Sequence, residues 1–463
     1  MRSSNQATAR LNKATPSPAP AALTPYPPRN DPRLFRHELT PMWLRTAAAF
    51  AGEDLETEDH LDRIAWLGCR AFVTPAVVAA VHPSTTVHAW DPNPARLAAL
   101  GSACRAAKLG NIATHDQPRP PDNSDYPPCD LVVIDGIVDS VDSELRNQVL
   151  AAAASLLRPG GLLAISYRTA VGWGEVAPLV RLLRHTLKHG SGPDPTADAI
   201  APLEVLKARG AAYMAVRPTV AAWLDDLLRA PADQVIDSYL VDALRPLSHA
   251  QVSEVLADFG TEFVGQARLD DFLHKAPTAV AQRVRDAPTV LLRETLSDLA
   301  VRRTARIDLF RLGRAGVGES DRERTVQTTR VMSVRLPTCE SVGAPWARHI
   351  VSNGESATIS CDSDGFERVG GFRVCELWPA ETRQHREVMV RQVLDAGLAH
   401  PVRDSVPDQA MESAARLTVL LERKGRPIRE QFAVSAHLGT ALPSEYVRSV
   451  DEGRRRALGL GER

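Results

Sequence analysis

Apolar and polar positions alternate with two different periods between residues 60 and 170, and the alternation predicts strands and helices in turn. Residues 64–67 (Ile-Ala-Trp-Leu) form a short apolar run that stops at Gly68, and residues 87–90 (Val-His-Ala-Trp) form a second that stops at Asp91. A helix is predicted between them over 75–81. Another follows Pro94, a residue favoured early in a helix, with Leu97, Leu100, Cys104 and Ala107 on one face and Gly110 as its stop. Residues 131–134 (Leu-Val-Val-Ile) read as a buried strand and 145–157 as a helix, ended by Arg158-Pro159-Gly160-Gly161. A further strand is expected over 162–167. Such alternation builds an α/β fold, a doubly wound and mostly parallel sheet.

The flanks read differently. Residues 1–30 are rich in Pro, Ser, Thr and Ala, end in Thr24-Pro25-Tyr26-Pro27-Pro28, and are expected to form a disordered tail. In 41–50, Met42, Trp43, Leu44, Ala47, Ala48 and Phe50 recur at helical spacing, giving a short amphipathic helix suited to cap a pocket. The strand-helix unit is therefore expected over 31–174. From 175 to 315 helical periodicity takes over, in 176–187, 203–228, 248–259 and 291–310, and predicts a helical second domain. The polar stretch 316–325 reads as a linker to a third unit of mixed short strands and helices over 326–463.

Composition narrows the function. The 463 residues suffice for two or three cores. With 44% apolar and 24% charged residues, a formal charge of -1 and a pI near 6.9, the chain is expected to be neither a general nucleic-acid binder nor a membrane binder. The first thirty residues lack the continuous apolar core of a signal peptide, and no run of about eighteen apolar residues occurs, so a cytoplasmic location is expected. Cysteines 69, 104, 129, 339, 361 and 375 have neither metal-knuckle nor dithiol spacing and are expected as buried free thiols. The thirteen histidines show no ligand spacing, and no metal site is expected. No phosphate loop, His-Glu-X-X-His or Gly-X-Ser-X-Gly motif is present. Arg302, Arg303, Arg306, Arg311 and Arg314, with Asp308 among them, read as the solvated face of a helix.

In an open parallel sheet, ligands bind beyond the carboxyl ends of the strands, near the switch in strand order. Four residues stand at such ends. Gly68, lacking a side chain, lets backbone amides approach a ligand. Asp91 is suited to accept hydrogen bonds from ribose hydroxyls. Asp116, with Gln117, would follow a third strand near an adenine ring, and Asp135 follows the fourth at the cleft floor. Each Asp taken singly is better explained as the cap of a helix or turn, the commoner role of an acidic residue there. Together the four point to a pocket for a nucleotide-type cofactor, although the fold does not fix which.

The segment Leu156-Leu157-Arg158-Pro159-Gly160-Gly161-Leu162-Leu163-Ala164-Ile165-Ser166-Tyr167, continuing to Val171-Gly172-Trp173, resembles bacterial class I methyltransferases that carry a methyltransferase regulatory domain, including outer-membrane-protein lysine methyltransferases. There the strand after Pro-Gly-Gly runs into Ser-Tyr-Asn and then Pro-Gly-Trp; Ser166, Tyr167, Gly172 and Trp173 match, while Arg168 and Val171 differ. Looser similarity covers nearly the whole chain. It takes in Tyr26-Pro27, Thr40-Pro41-Met42-Trp43-Leu44, Tyr239-Leu240, Phe259-Gly260, Phe263-Val264-Gly265, Pro345-Trp346-Ala347-Arg348 and Leu394-Asp395-Ala396-Gly397-Leu398. The resemblance implies a Rossmann-like class I methyltransferase domain, then a helical regulatory domain, then a winged-helix-like α+β module.

It also implies S-adenosyl-L-methionine as cofactor, held by Leu67, Gly68, Cys69, Asp91, Asp116 and Gln117, and in-line methyl transfer to a protein side chain such as a lysine amine. Asp135, Tyr167 and Trp173 are the catalytic candidates: Asp135 to accept a hydrogen bond from the amine or the cofactor, the two aromatics to guide the amine. Core packing at a strand end is the other role open to Tyr167 and Trp173. The chain departs from the family's Glu-Leu-Gly-Cys-Gly-X-Gly loop with Trp66-Leu67-Gly68-Cys69-Arg70-Ala71-Phe72, and has Asp135 where many members have His. Two other readings stay open: a catalytically inactive scaffold that binds a partner protein, and a nicotinamide-dependent oxidoreductase, the latter lacking a Gly-X-Gly-X-X-Gly turn.

Overall fold

The computed structural model describes residues 35–53, 61–69, 72–189, 194–229, 244–269, 273, 276–313, 319–334, 348–352, 355–359, 371–376, 382–395, 397–422 and 431–460. The expected tail, Arg70, Ala71, Tyr239-Leu240 and Pro345-Trp346-Ala347 lie outside the described residues.

A short 3-10 turn, His37–Leu39, leads into α1 (Pro41–Ala51), which has Pro41 in its first turn and Gly52 at φ +100° as its left-handed stop. Strands and helices then alternate: β1 (Arg63–Leu67), α2 (Val73–Val81), β2 (Thr86–Trp90), α3 (Pro94–Ala106), β3 (Ile112–His115), β4 (Cys129–Asp135), α4 (Ser143–Leu156) and β5 (Leu157–Arg168). Local signals place these boundaries. Asn93 caps α3 by accepting from the Ala95 amide, and Asp142 caps α4 by accepting from the Leu145 amide. Alternation of side chains along β1, β4 and β5 puts Ile64, Trp66, Leu131 and Val133 into one buried layer and Ala65, Leu67, Val132 and Ile134 into the other.

After β5 the chain leaves the sheet for a helical excursion, α5 (Ala170–Trp173), α6 (Ala177–His189), α7 (Pro195–Ala208), α8 (Ala212–Ala215) and α9 (Pro218–Arg229), with its own core around Trp173, Val180, Leu183, Leu203 and Trp223. The single helix expected over 203–228 is broken, because Gly210 turns at φ +64° and Pro218 cannot continue a preceding helix. Then α10 (His249–Ala257) starts on a Ser248–Gln251 capping box and leads into β6 (Thr261–Gln266). Next come α11 (Thr278–Arg285), α12 (Val290–Val301) and β7 (Ala305–Leu312).

Strands β6 and β7 correct the expectation of an all-helical stretch from 175 to 315. They join the first sheet, whose order is β3-β2-β1-β4-β5-β7-β6, with β1 to β5 parallel, β7 antiparallel to β5, and β6 antiparallel to β7. The chain runs outward from β1 to β3 and returns on the other side of β1 to β4, so the switch in strand order lies between β1 and β4. The doubly wound, mostly parallel sheet is thus the one the alternation predicts.

The stretch expected as a linker is in part helix, α13 (Glu319–Thr328). Beyond it β8 (Arg330–Ser333), β9 (Arg348–Ser352), β10 (Glu355–Ile359), β11 (Phe372–Arg373), α14 (Arg383–Asp395), β12 (Ala399–Pro401), α15 (Asp408–Leu421), β13 (Phe432–Ser435), β14 (Thr440–Pro443), α16 (Ser444–Ser449) and α17 (Glu452–Ala457) form a small helix-and-sheet unit. It shares one core with the large sheet: Leu417 and Leu421 pack in the cluster that holds Val77 and Val81. Arg403 Nη1 donates to the Val81 carbonyl at 2.6 Å, and Arg416 Nε to the Ala107 carbonyl at 3.1 Å. Among the described residues no helix is long and apolar enough to cross a membrane. Cys69, Cys104 and Cys129 are buried free thiols as expected, whereas Cys375 is exposed.

Candidate functional site

Gly68 closes β1 with φ +95°, a conformation that L side chains rarely adopt, and a Cβ there would stand 2.6 Å from the Asp135 carbonyl oxygen. Only glycine lets the ends of β1 and β4 approach this closely. Its amide donates to the Trp90 carbonyl at 2.7 Å, and the next amide, of Cys69, donates to Asp91 Oδ2 at 2.6 Å. Asp91 Oδ1 accepts from the Asn93 amide at 2.8 Å and lies 3.6 Å from Arg96 Nη1. The β2 acid thus ties down the loop after β1 and the start of α3. The Cys69 thiol is pushed well above its ordinary range by burial and by the Asp91 and Asp135 carboxylates, which favours the protonated thiol. Phe72, where the family has glycine, has an ordinary φ of -53° and packs half-buried against the core.

Asp135 closes β4 with its side chain 0% exposed. Its Oδ1 accepts from Ser166 Oγ at 3.1 Å, across the register from β5, and pairs with Arg36 Nη1 at 2.8 Å. Its Oδ2 is buried and has no hydrogen-bond partner among the described residues. An unsatisfied buried carboxylate oxygen is costly, so this atom calls for a donor, from water or from a ligand. Arg36 comes from the segment before α1: its amide donates to Thr74 Oγ1 in α2 at 3.1 Å, and its Nη1 donates to Ser166 Oγ at 2.8 Å. The N-terminal segment therefore crosses the carboxyl edge of the sheet at the switch point.

The remaining predicted residues fall elsewhere. Leu67 is buried in the layer that holds Ala65, Val132 and Ile134. Asp116 is exposed beyond β3. Gln117 is half-buried, its carbonyl accepting from Trp90 Nε1 at 2.9 Å and its Nε2 donating to Asp125 Oδ2 at 3.3 Å. Tyr167, expected to guide an amine, alternates to the opposite side of the sheet from Ser166 and donates its hydroxyl to Asp308 Oδ2 at 2.6 Å. There Asp308 also binds His249 Nδ1 at 2.9 Å and Arg306 Nε at 2.7 Å, and Arg306 reaches Asp298 and Glu294. Arg306 is fully buried in this cluster, which corrects the solvated helical face expected for the arginines. Trp173 is 3% exposed, packs in the core of the helical excursion and has the Arg168 guanidinium 5.7 Å from its ring centre.

Sequence reasoning missed Arg36 and Thr74 and named Ser166 only as part of a motif. Arg36 lies in irregular chain with no periodicity to mark it, while Ser166 was marked by position, one residue past the apolar run of β5.

No family model matches the chain. An uncharacterized protein of Synechocystis sp. is 21% identical over 285 residues, 60% of this chain and 56% of that protein. An uncharacterized protein of Rickettsia prowazekii is 28% identical over 152 residues, 32% of this chain and 57% of that one. The matches thus span little more than half the length of these relatives. Among solved structures, PKMT2 from Rickettsia typhi in complex with AdoHcy superposes with a TM-score of 0.64 at 14% identity, over 94% of this chain and 91% of that one. The likeness is one of fold, and the fold is that of class I methyltransferases, with added helical and small-sheet regions.

Proposed function

We propose that the chain is a cytoplasmic S-adenosyl-L-methionine-dependent methyltransferase that acts on a protein side chain, a lysine amine. One observation carries the reading: at the switch point Gly68, in left-handed conformation, lies against Asp135, whose buried Oδ2 has no partner among the described residues. The donor set fits the cofactor. Asp91 stands one strand over as an acceptor for ribose hydroxyls, and Gly68, having no side chain, lets the end of β4 with Asp135 pack against the end of β1. A fold shared with a protein solved in complex with AdoHcy supports the same reading.

When bound, the sulfonium supplies an activated methyl group. The chain's own residues then bind and align. Asp91 fixes the loop through the Cys69 amide, and Ser166 and Arg36 fix the Asp135 carboxylate. In-line displacement needs no covalent intermediate with the protein, so alignment and exclusion of water are the chain's contribution. A lysine amine loses its proton more easily in a dry pocket, where burial disfavours the charged form.

A second reading, a catalytically inactive scaffold that binds a partner protein, is favoured by the engagement of Asp91 with two backbone amides and of Asp135 with Arg36. Incubation with methyl-tritiated cofactor and unmodified cell protein separates the two. The enzyme reading expects label in N-methyllysine after acid hydrolysis, lost in Gly68→Val. Absence of any label, or label only as ester, contradicts it.

A further inference from the structure

We propose that Arg36 and Asp135 form a clamp for the zwitterionic amino-acid end of the cofactor, Arg36 taking the α-carboxylate and Asp135 Oδ2 the α-ammonium. The inference rests on the methyltransferase reading above and assigns residues within that same site. Its starting point is the order of groups along the carboxyl edge. Asp91, at the end of β2, is the acceptor suited to ribose hydroxyls, so the end of the ligand remote from the ribose lies across β1 towards β4, whose end, with Asp135, packs against Gly68.

At that end an acid and a base stand side by side. The Asp135 side chain is fully buried; Oδ1 is occupied by Ser166 and Arg36, and Oδ2 is without a hydrogen-bond partner. The Arg36 side chain is 24% exposed, and its guanidinium presents five donors in a planar fork. An α-amino acid presents the complement, an ammonium and a carboxylate on one carbon. The ammonium satisfies the bare oxygen, and the carboxylate meets the guanidinium, each by a charge-assisted hydrogen bond.

The position is anchored. The Arg36 amide is held by Thr74, the Phe35 ring lies 6.2 Å from that of Phe432, and the His37 ring lies 6.4 Å from that of His400. The acid is also new to its place. The β1 position at which the resembling family has Glu is Trp66 here, fully buried in the core, so the acidic contact moves from β1 to β4.

Calorimetry on the full chain tests the clamp with three probes: S-adenosyl-L-homocysteine, its analogue lacking the carboxylate, and 5′-methylthioadenosine, which lacks the whole amino-acid end. Arg36→Gln is expected to weaken the homocysteine compound roughly ten- to hundredfold, as the loss of one charged hydrogen bond does, and to leave the decarboxylated analogue and methylthioadenosine unchanged. Asp135→Asn is expected to weaken both ammonium-bearing probes and spare methylthioadenosine. Arg36→Lys recovers part of the loss. If Arg36→Gln weakens all three probes alike, or none, the clamp is overturned while the methyltransferase reading stands. A wild-type chain that binds none of the three overturns both.

Discussion

Gly68 has little freedom to change. Its φ of +95° is rarely open to L residues, and a Cβ would lie 2.6 Å from the Asp135 carbonyl oxygen. Gly68→Ala is expected to lose at least about 1–2 kcal/mol from the left-handed conformation, with the clash in addition. Urea unfolding reads the loss; a variant as stable as the wild type contradicts the geometry. A second expectation concerns buried histidines. Burial lowers His400 from 6.5 to about 3, and His37, buried beside it near Trp43 and the Arg268 charge, is lowered as well. The unfolded chain therefore binds protons that the folded chain refuses. Stability is fully present above about pH 6.5 and falls as pH drops from there towards the folded value. His400→Phe is expected to flatten the fall in melting temperature between neutral and mildly acid pH. At this scale the sequence showed Gly68, Asp91 and Asp135, because each stops an apolar run whose period fixes its place. It hid Arg36, whose contacts with Thr74, Asp135 and Ser166 are all remote in sequence and leave no periodic trace.

Among the elements, β7 shows how a pattern can mislead. Residues 291–310 carry apolar positions at helical spacing, but Arg302 takes the left-handed conformation at φ 49°, ends α12 and lets Ala305–Leu312 run as a strand. Its polar residues are those of a buried ion network and so do not mark an exposed face. Burial alone would raise the Asp308 carboxyl, but the Arg306 guanidinium and hydrogen bonds from His249 and Tyr167 hold it down at about 2. Asp308→Asn leaves Arg306 buried with one partner fewer and is expected to cost about 3–5 kcal/mol, read by urea unfolding. A loss under 1 kcal/mol, by the same estimate, contradicts the claim that the network ties β7 to β5 and α10. Strands β1, β2, β4 and β5 were legible because short apolar runs between turn residues leave no room for a helix; β6 and β7 were not, since their polar residues are satisfied by partners on β5, α10 and α12.

On the scale of the molecule, the C-terminal unit buttresses the side of the sheet from which α2 leads out of the site. Arg403 donates to the Val81 carbonyl at the end of α2, and its other terminal nitrogen meets the His82 ring at 2.8 Å. Arg403→Ala is expected to speed amide hydrogen exchange in the last turn of α2 while leaving α4 on the other face unchanged; equal exchange in both would remove the buttress. No local pattern announces such docking, which joins elements over three hundred residues apart in sequence, whereas the resemblance carried by residues 156–173 reached the overall fold correctly. On the proposed reading, the carboxyl edge between Asp91, Gly68 and Asp135 holds an adenosyl amino acid. A crystal structure of the full chain grown with S-adenosyl-L-homocysteine tests it most directly. The ribose hydroxyls are expected on Asp91 and the amino-acid end between Arg36 and Asp135; saturating ligand that leaves this edge empty, or binds elsewhere, contradicts the reading.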